Sequence, residues 1–155
     1  MNAENTTQDT VKALTPQEIQ SINNFYTAWK LKQPDMLDDC CVPYWKDIPL
    51  GPGQQDGPQG LKDIMNYFIS ALPDVEIIVH EIFGTHERAG VRAEFRFTHV
   101  NDILGIPATD KKVTVPIHEF HYLKNGKLTH TWHMEDWFGL LKQSSAWPLQ
   151  TTTSK

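Results

Sequence analysis

Four side chains in the second half of the chain have the chemistry to move protons: His99, Glu119, His121 and Asp136. Three of them belong to what reads as a hairpin. Asn125-Gly126 lies between two alternating runs, 113–123 and 128–137, and Asn-Gly is a strong two-residue turn signal. With Asn125 and Gly126 as the loop, Lys124 pairs with Lys127. His121 then falls opposite His130, Glu119 opposite Trp132, Ile117 opposite Met134, and Val115 opposite Asp136. That register puts Glu119, His121 and Asp136 on one face with Val115, Ile117, Trp132 and Met134. It sends His118, Phe120 and Tyr122, with Thr131, His133 and Glu135, to the other; a single β-bulge would break the mapping. A carboxylate desolvated among Trp and Met has its pKa raised and becomes a better base near neutral pH. The same face open to water would merely carry solvated charges. His99 continues the inward apolar face of Val91, Ala93, Phe95 and Phe97. It is either a core histidine held by one hydrogen bond, or a group that donates to a substrate oxygen or orients a carboxylate.

Other chemistries fit less well. His118-Glu119-Phe120-His121 is one residue short of HExxH and lies on a strand, where residues three apart face opposite sides. His130 and His133 meet the same objection, and His121 with His130 lacks a third ligand, so no metal is expected. There is no phosphate-cradling glycine motif, and no serine sits in a nucleophile elbow. Cys40 and Cys41 are adjacent and have no other partner, which gives no disulfide framework and suggests a reducing, cytoplasmic setting.

The elements that must position these groups follow from local pattern. Thr15-Pro16-Gln17-Glu18 reads as a capping box with proline at the first helical position. It opens a helix over 16–31 whose stripe is Ile19, Ile22, Phe25, Tyr26 and Trp29. Core packing is the simple role for Tyr26, although its hydroxyl can reach a cavity. Pro34 opens a short helix through 35–41. Residues 42–60 are rich in Pro, Gly and aromatic residues and read as a long functional loop, with at most one short strand near 44–48. A third helix carries Leu61, Ile64, Met65, Phe68 and Ile69 and stops before Pro73. Strands follow at 75–83 and 91–99, then the hairpin, and 138–143 suits a helical turn. Helices first and antiparallel strands after give an α+β domain, with helices on one face of a curved sheet that lines a cone-shaped cavity.

The chain has 155 residues, of which 39% are hydrophobic and 21% charged, and this suits one globular domain. The expected division is a disordered lead-in over 1–14, a domain over 15–147 and a flexible tail over 148–155. A net charge of −5 argues against a broad nucleic-acid or anionic-membrane surface. No apolar run approaches the roughly 20 residues of a membrane span, and the polar N-terminus has no signal-peptide stretch.

Three segments carry a resemblance. GPGQQDGPQGLKDIMNYFISALPDV at 51–75, THVNDILGIPATDKKV at 98–113 and YLKNGKLTHTWHMEDWFGLLKQ at 122–143 resemble SnoaL-like polyketide and ester cyclases, in the superfamily of NTF2-like folds. The likeness runs from about 16 to 143. It implies an NTF2-like cone, a curved antiparallel sheet covered by three N-terminal helices. It also implies a cofactor-free enzyme of intramolecular aldol condensations and related cyclisations, and a homodimer. The family's acid/base aspartate falls at Asp136, its acid-x-His strand at Glu119 and His121, its TH histidine at His99, and its aromatic first helix at Phe25, Tyr26 and Trp29. The chain departs from the family at Pro107-Ala108-Thr109-Asp110, at Glu119 where Asp is frequent, at Tyr122 where Arg is frequent, and at Ser144-Ser145.

Three readings follow. In the first, Asp136 removes a proton beside a carbonyl and His121 or His99 holds the enolate oxygen. Tyr26, Trp29, Trp45, Phe97, Trp132 and Met134 then shape an apolar pocket for a small polyketide-like or other carbonyl substrate. In the second, the same cone activates water to open an epoxide or lactone. In the third, the domain binds an apolar ligand or a partner without turnover; Phe120 and Tyr122 on the opposite sheet face suit an interface.

Overall fold

The computed structural model describes residues 11–147, so the expected tail over 148–155 and the first ten residues of the lead-in lie outside it. Of that lead-in, Ala13 bridges to Thr85. Helix α1 spans Pro16–Leu31 and opens with the expected capping box: Thr15 accepts from the Glu18 amide, and Glu18 accepts from the Thr15 amide at 2.7 Å. The other Glu18 oxygen accepts from the Glu87 amide at 2.9 Å, which ties the helix start to the strand turn below it. A 3-10 turn at Pro34–Met36 leads into α2 at Leu37–Cys40, and α3 spans Pro58–Ala71. The long loop is shorter than its composition suggests, because Cys41–Ile48 forms a full strand, β1.

Strands β2 (Glu76–Thr85), β3 (Arg88–Thr98), β4 (Lys112–Lys124) and β5 (Lys127–Glu135) complete one five-stranded sheet in the order β1-β5-β4-β3-β2. Its last four strands are antiparallel, but β1 joins the edge parallel to β5. A fourth helix, α4 at Trp137–Gln143, closes the described chain. The sheet curves without closing, and the helices cover its inner face. The core there includes Ile22, Met65, Val91, Ala93, Val115 and Ile117, all buried. No helix among the described residues is long and apolar enough to cross a membrane.

The hairpin turn forms as its dipeptide implies. Asn125 and Gly126 both take positive φ, the requirement of a two-residue turn that matches strand twist. The Gly126 carbonyl accepts from the Ser21 hydroxyl at 2.5 Å, and a side chain at Gly126 would collide with Gln17. Register then departs from the simple count. Lys124 pairs with Lys127 and Leu123 with Leu128, but Tyr122 pairs with His130. Leu128 and Thr129 are both buried, so one extra residue enters β5 and every later side chain changes face.

Candidate functional site

That bulge decides what the cavity contains. Glu119 faces His133 across the β4–β5 ladder, His121 faces Thr131, and Ile117 faces Glu135. Trp132 and Met134, expected in the pocket, instead lie on the outer sheet face. Trp132 stacks there on His130, 5.5 Å between centroids, and meets Tyr122 at 4.6 Å, while Met134 is 75% exposed.

A cavity of about 430 Å³ lies between the sheet and the helices. Its apolar end is aromatic. Phe68, Phe95 and Trp137 form a three-ring cluster, with Phe68 6.1 Å from each of the other two and those two 6.5 Å apart, and Trp29 meets Phe95 edge-on at 5.1 Å. Its polar end collects Asp47 from β1, Glu119 from β4, and His133 and Glu135 from β5. Gly51, Pro52 and Gln54 of the β1–α3 loop also border it.

His133 is clamped at both ring nitrogens. Nδ1 is 2.8 Å from Glu135 Oε1; Nε2 is 2.8 Å from the Pro49 carbonyl and 3.3 Å from Asp47 Oδ1. Burial alone would push its pKa down. The Glu135 hydrogen bond and the Asp47 and Glu135 charges outweigh that and hold it up at about 9, so the ring is a cation at neutral pH. Gln54 donates to the other Asp47 oxygen at 2.7 Å and accepts from the Gly51 amide at 2.8 Å, which braces the loop over the site. Asp47 is raised above the ordinary carboxylate value, chiefly by burial.

Glu119 is the carboxylate that the apolar wall perturbs most. It is 8% exposed, and its pKa is pushed up to about 7, first by burial and then by the charges of Glu135 and Asp47, against the Tyr26 hydrogen bond and the His133 cation. The Tyr26 hydroxyl donates to Oε2, and His121 Nε2 lies 2.7 Å from the same phenol oxygen. His121 is fully buried, which depresses its pKa to about 3 and keeps the ring neutral. Glu119 thus touches both the cavity and a buried polar row behind it. Trp45 belongs to that row, donating to Thr131 at 3.0 Å.

Of the other expected site residues, Trp29 lines the cavity, whereas Tyr26, Trp45 and His121 stand behind its wall. Phe97 is buried in the core but does not line the cavity. His99 is a core histidine. Its Nδ1 is 3.2 Å from Thr109 Oγ1, its backbone anchors Thr109, Asp110 and Lys111, and it does not reach the cavity.

Asp136 is the largest correction. Strand β5 ends at Glu135, so Asp136 falls at the N-cap of α4, where it is exposed and accepts from the Gly139 amide at 2.8 Å. A side chain at Gly139 would place its Cβ 2.3 Å from the Asp136 carboxyl, so glycine makes room for the cap. Asp136 does not line the cavity.

The unbulged hairpin register puts His133 and Glu135 on the outer face, and the short strand expected near 44–48 carries no sign of which sheet edge it joins, which hides Asp47. Within that strand Trp45 and Asp47 alternate with Lys46, the pattern that places both on its buried face. Among the described residues no three His, Cys, Asp or Glu side chains are arranged to hold a metal ion.

Solved structures with this architecture include TsrD from Streptomyces laurentii, at 24% identity and TM-score 0.77 over 86% of this chain and 98% of that one. IdmH from Streptomyces antibioticus aligns at 20% identity and TM-score 0.74, covering 83% and 99%. A SnoaL-like polyketide cyclase from Agrobacterium tumefaciens aligns at 15% identity and TM-score 0.69, covering 83% and 98%. They share the NTF2-like cone. No curated protein matches the chain. The sequence pattern of the SnoaL-like polyketide cyclases matches residues 20–144.

Proposed function

The chain belongs to the SnoaL-like polyketide cyclase family, and from that premise we propose that it cyclises or isomerises a small carbonyl compound with Glu119 as acid and base. The single observation that carries this reading is a cavity-lining carboxyl that is 8% exposed and has its pKa lifted to about 7. A base of that strength is half ionised at neutral pH, where positioned proton transfer contributes typically 10²–10⁴-fold. Glu119 takes the proton from the carbon beside the carbonyl. In cyclisation the enolate carbon attacks a second carbonyl, and Glu119 returns its proton to the new alkoxide. In isomerisation the proton goes back to another carbon. Neither route changes oxidation state.

The negative charge that develops on oxygen needs donors. Trp29 and Trp137 line the cavity, and neither indole N–H has a hydrogen-bond partner among the described residues. With the Tyr67 hydroxyl, which also lines the cavity and only accepts, from the Leu104 amide, they are candidate donors to that oxygen. His133 already shares both nitrogens, so it acts through its charge, stabilising anions at the polar end. Asp136 takes no part beyond capping α4.

The outer face carries exposed Phe120, Tyr122 and Met134 beside Trp132, which supports a homodimer through this side of the sheet. Cys40 and Cys41, buried with Sγ atoms 4.0 Å apart and unbridged, fit a cytoplasmic setting.

The test is deuterium uptake. The protein is incubated in D2O with a panel of aryl β-keto esters and 1,3-diketones, and exchange at the acidic carbon is followed by NMR. Exchange is expected with the wild type and with Asp136→Asn, and lost with Glu119→Gln. Exchange that survives Glu119→Gln refutes Glu119 as the base. Solvent oxygen-18 appearing in the product would instead support hydrolysis.

A further inference from the structure

We infer that Trp45, Thr131, His121 and Tyr26 form a hydrogen-bond chain that runs in one direction and ends on Glu119, with His121 as a positioning residue fixed in a single tautomer. The inference deepens the acid–base reading of Glu119 and rests on it for its functional meaning, though not for its geometry.

The direction follows from what each group can donate. The Trp45 indole carries a proton and no acceptor, and it lies 3.0 Å from Thr131 Oγ1, so the threonine oxygen accepts. Thr131 is 1% exposed, and its hydroxyl proton has one acceptor within reach among the described residues, His121 Nδ1 at 2.9 Å. That leaves Nδ1 bare. A neutral imidazole with a bare Nδ1 carries its proton on Nε2. Nε2 lies 2.7 Å from the Tyr26 oxygen and 3.6 Å from Glu119 Oε2, so it donates to the phenol. The phenol keeps its own proton for Glu119 Oε2. Each link passes one proton the same way, and no buried donor is left over.

The reverse arrangement fails at both ends. With the proton on Nδ1, the Thr131 hydroxyl would lose its acceptor while buried. Nε2 would then accept the Tyr26 proton, and Glu119, when ionised, would lose its donor. The chain therefore dedicates Oε2 to Tyr26 and leaves Oε1, which no described residue hydrogen-bonds, as the oxygen that meets a substrate. The aromatic groups in this row belong to the buried core and do not line the cavity. They set the orientation and proton affinity of a group they enclose from behind.

The experiment uses the full chain labelled with nitrogen-15 and carboxyl carbon-13. Long-range nitrogen–proton correlation reads the His121 tautomer, and a pH titration reads the Glu119 carboxyl. The wild type is expected to show His121 protonated at Nε2 alone. Thr131→Val removes the link that holds the tautomer, so both readouts should move: a mixture or reversal at His121 and a rise in the Glu119 pKa. Tyr26→Phe removes only the last link, so the Glu119 pKa should rise while the Nε2–H tautomer stays. Each rise is about one to two pH units, the worth of a hydrogen bond to a charged acceptor. A wild-type tautomer at Nδ1 overturns the inference even if neither variant folds, as does Thr131→Val leaving both readouts unchanged. If the tautomer is as inferred but deuterium exchange survives Glu119→Gln, the chain stands and the catalytic role of Glu119 falls.

Discussion

Glu119→Gln should stabilise the protein at alkaline pH while abolishing proton transfer. The folded carboxyl keeps its proton up to about pH 7, whereas an unfolded glutamate gives it up near 4.5. Between those values the native state binds more protons than the unfolded chain, so stability falls as pH rises. The gap is about two and a half pH units, worth about 3.5 kcal/mol at roughly 1.4 kcal/mol per unit, and most of it is lost between pH 5 and 8. Glutamine has nearly the same shape, accepts the Tyr26 hydroxyl through its carbonyl and does not titrate. The two proteins should therefore match within about 1 kcal/mol at pH 5, and the variant should lead by about 2–3 kcal/mol at pH 8. For a chain of this size that is a difference in Tm of roughly 5–10 °C. Urea unfolding at pH 5, 6, 7 and 8 measures it, and because other titrating groups are common to both proteins, the difference isolates Glu119. A stability difference that does not change with pH would mean that Glu119 is ordinarily acidic and would remove the basis for treating it as a tuned base.

On any substrate found by exchange, kcat/KM should rise with pH through about 7 as Glu119 ionises and fall through about 9 as His133 loses its proton; a profile flat across that range would contradict the pair. Asp136→Ala should cost about 1 kcal/mol in chemical denaturation as α4 loses its cap, whereas Asp136→Asn should keep both stability and turnover. Turnover lost in a folded Asp136→Asn protein would return Asp136 to the chemistry. Phe120→Glu should shift a dimer toward monomer in sedimentation equilibrium, and an unchanged mass would place any interface elsewhere.

Most of the fold was legible because its signals are local. The Thr15–Glu18 capping box, the Asn125-Gly126 turn and the strict alternation of β3 and β4 each rest on a few neighbouring residues. Strand β1 was harder, because Pro43 interrupts it and a Pro- and Gly-rich loop follows, while its partner β5 lies some 85 residues on. The site was legible only in part, and for one reason. Either phase of β5 gives a credible inner face: Leu128, His130, Trp132 and Met134, or Thr129, Thr131, His133 and Glu135. Hydrophobicity favours the first. The protein takes the second, because Trp45 and Asp47 of β1 supply partners for Thr131 and His133, and Tyr122 and His130 shelter Trp132 outside. Glu119 and His121 lie on the inner face as the alternation implies, because β4 carries no irregularity against β3.

The extra residue near Thr129 makes the cavity's character a matter of chain length rather than of residue identity. Deleting one position there while keeping the turn would rotate all that follows by half a period. An imidazole and a carboxylate would leave the binding hollow, and an indole and a thioether would enter. A descendant shortened by a single codon would keep Glu119 and Asp47 in a greasier receptacle, stripped of the cation and the further acid that β5 now contributes.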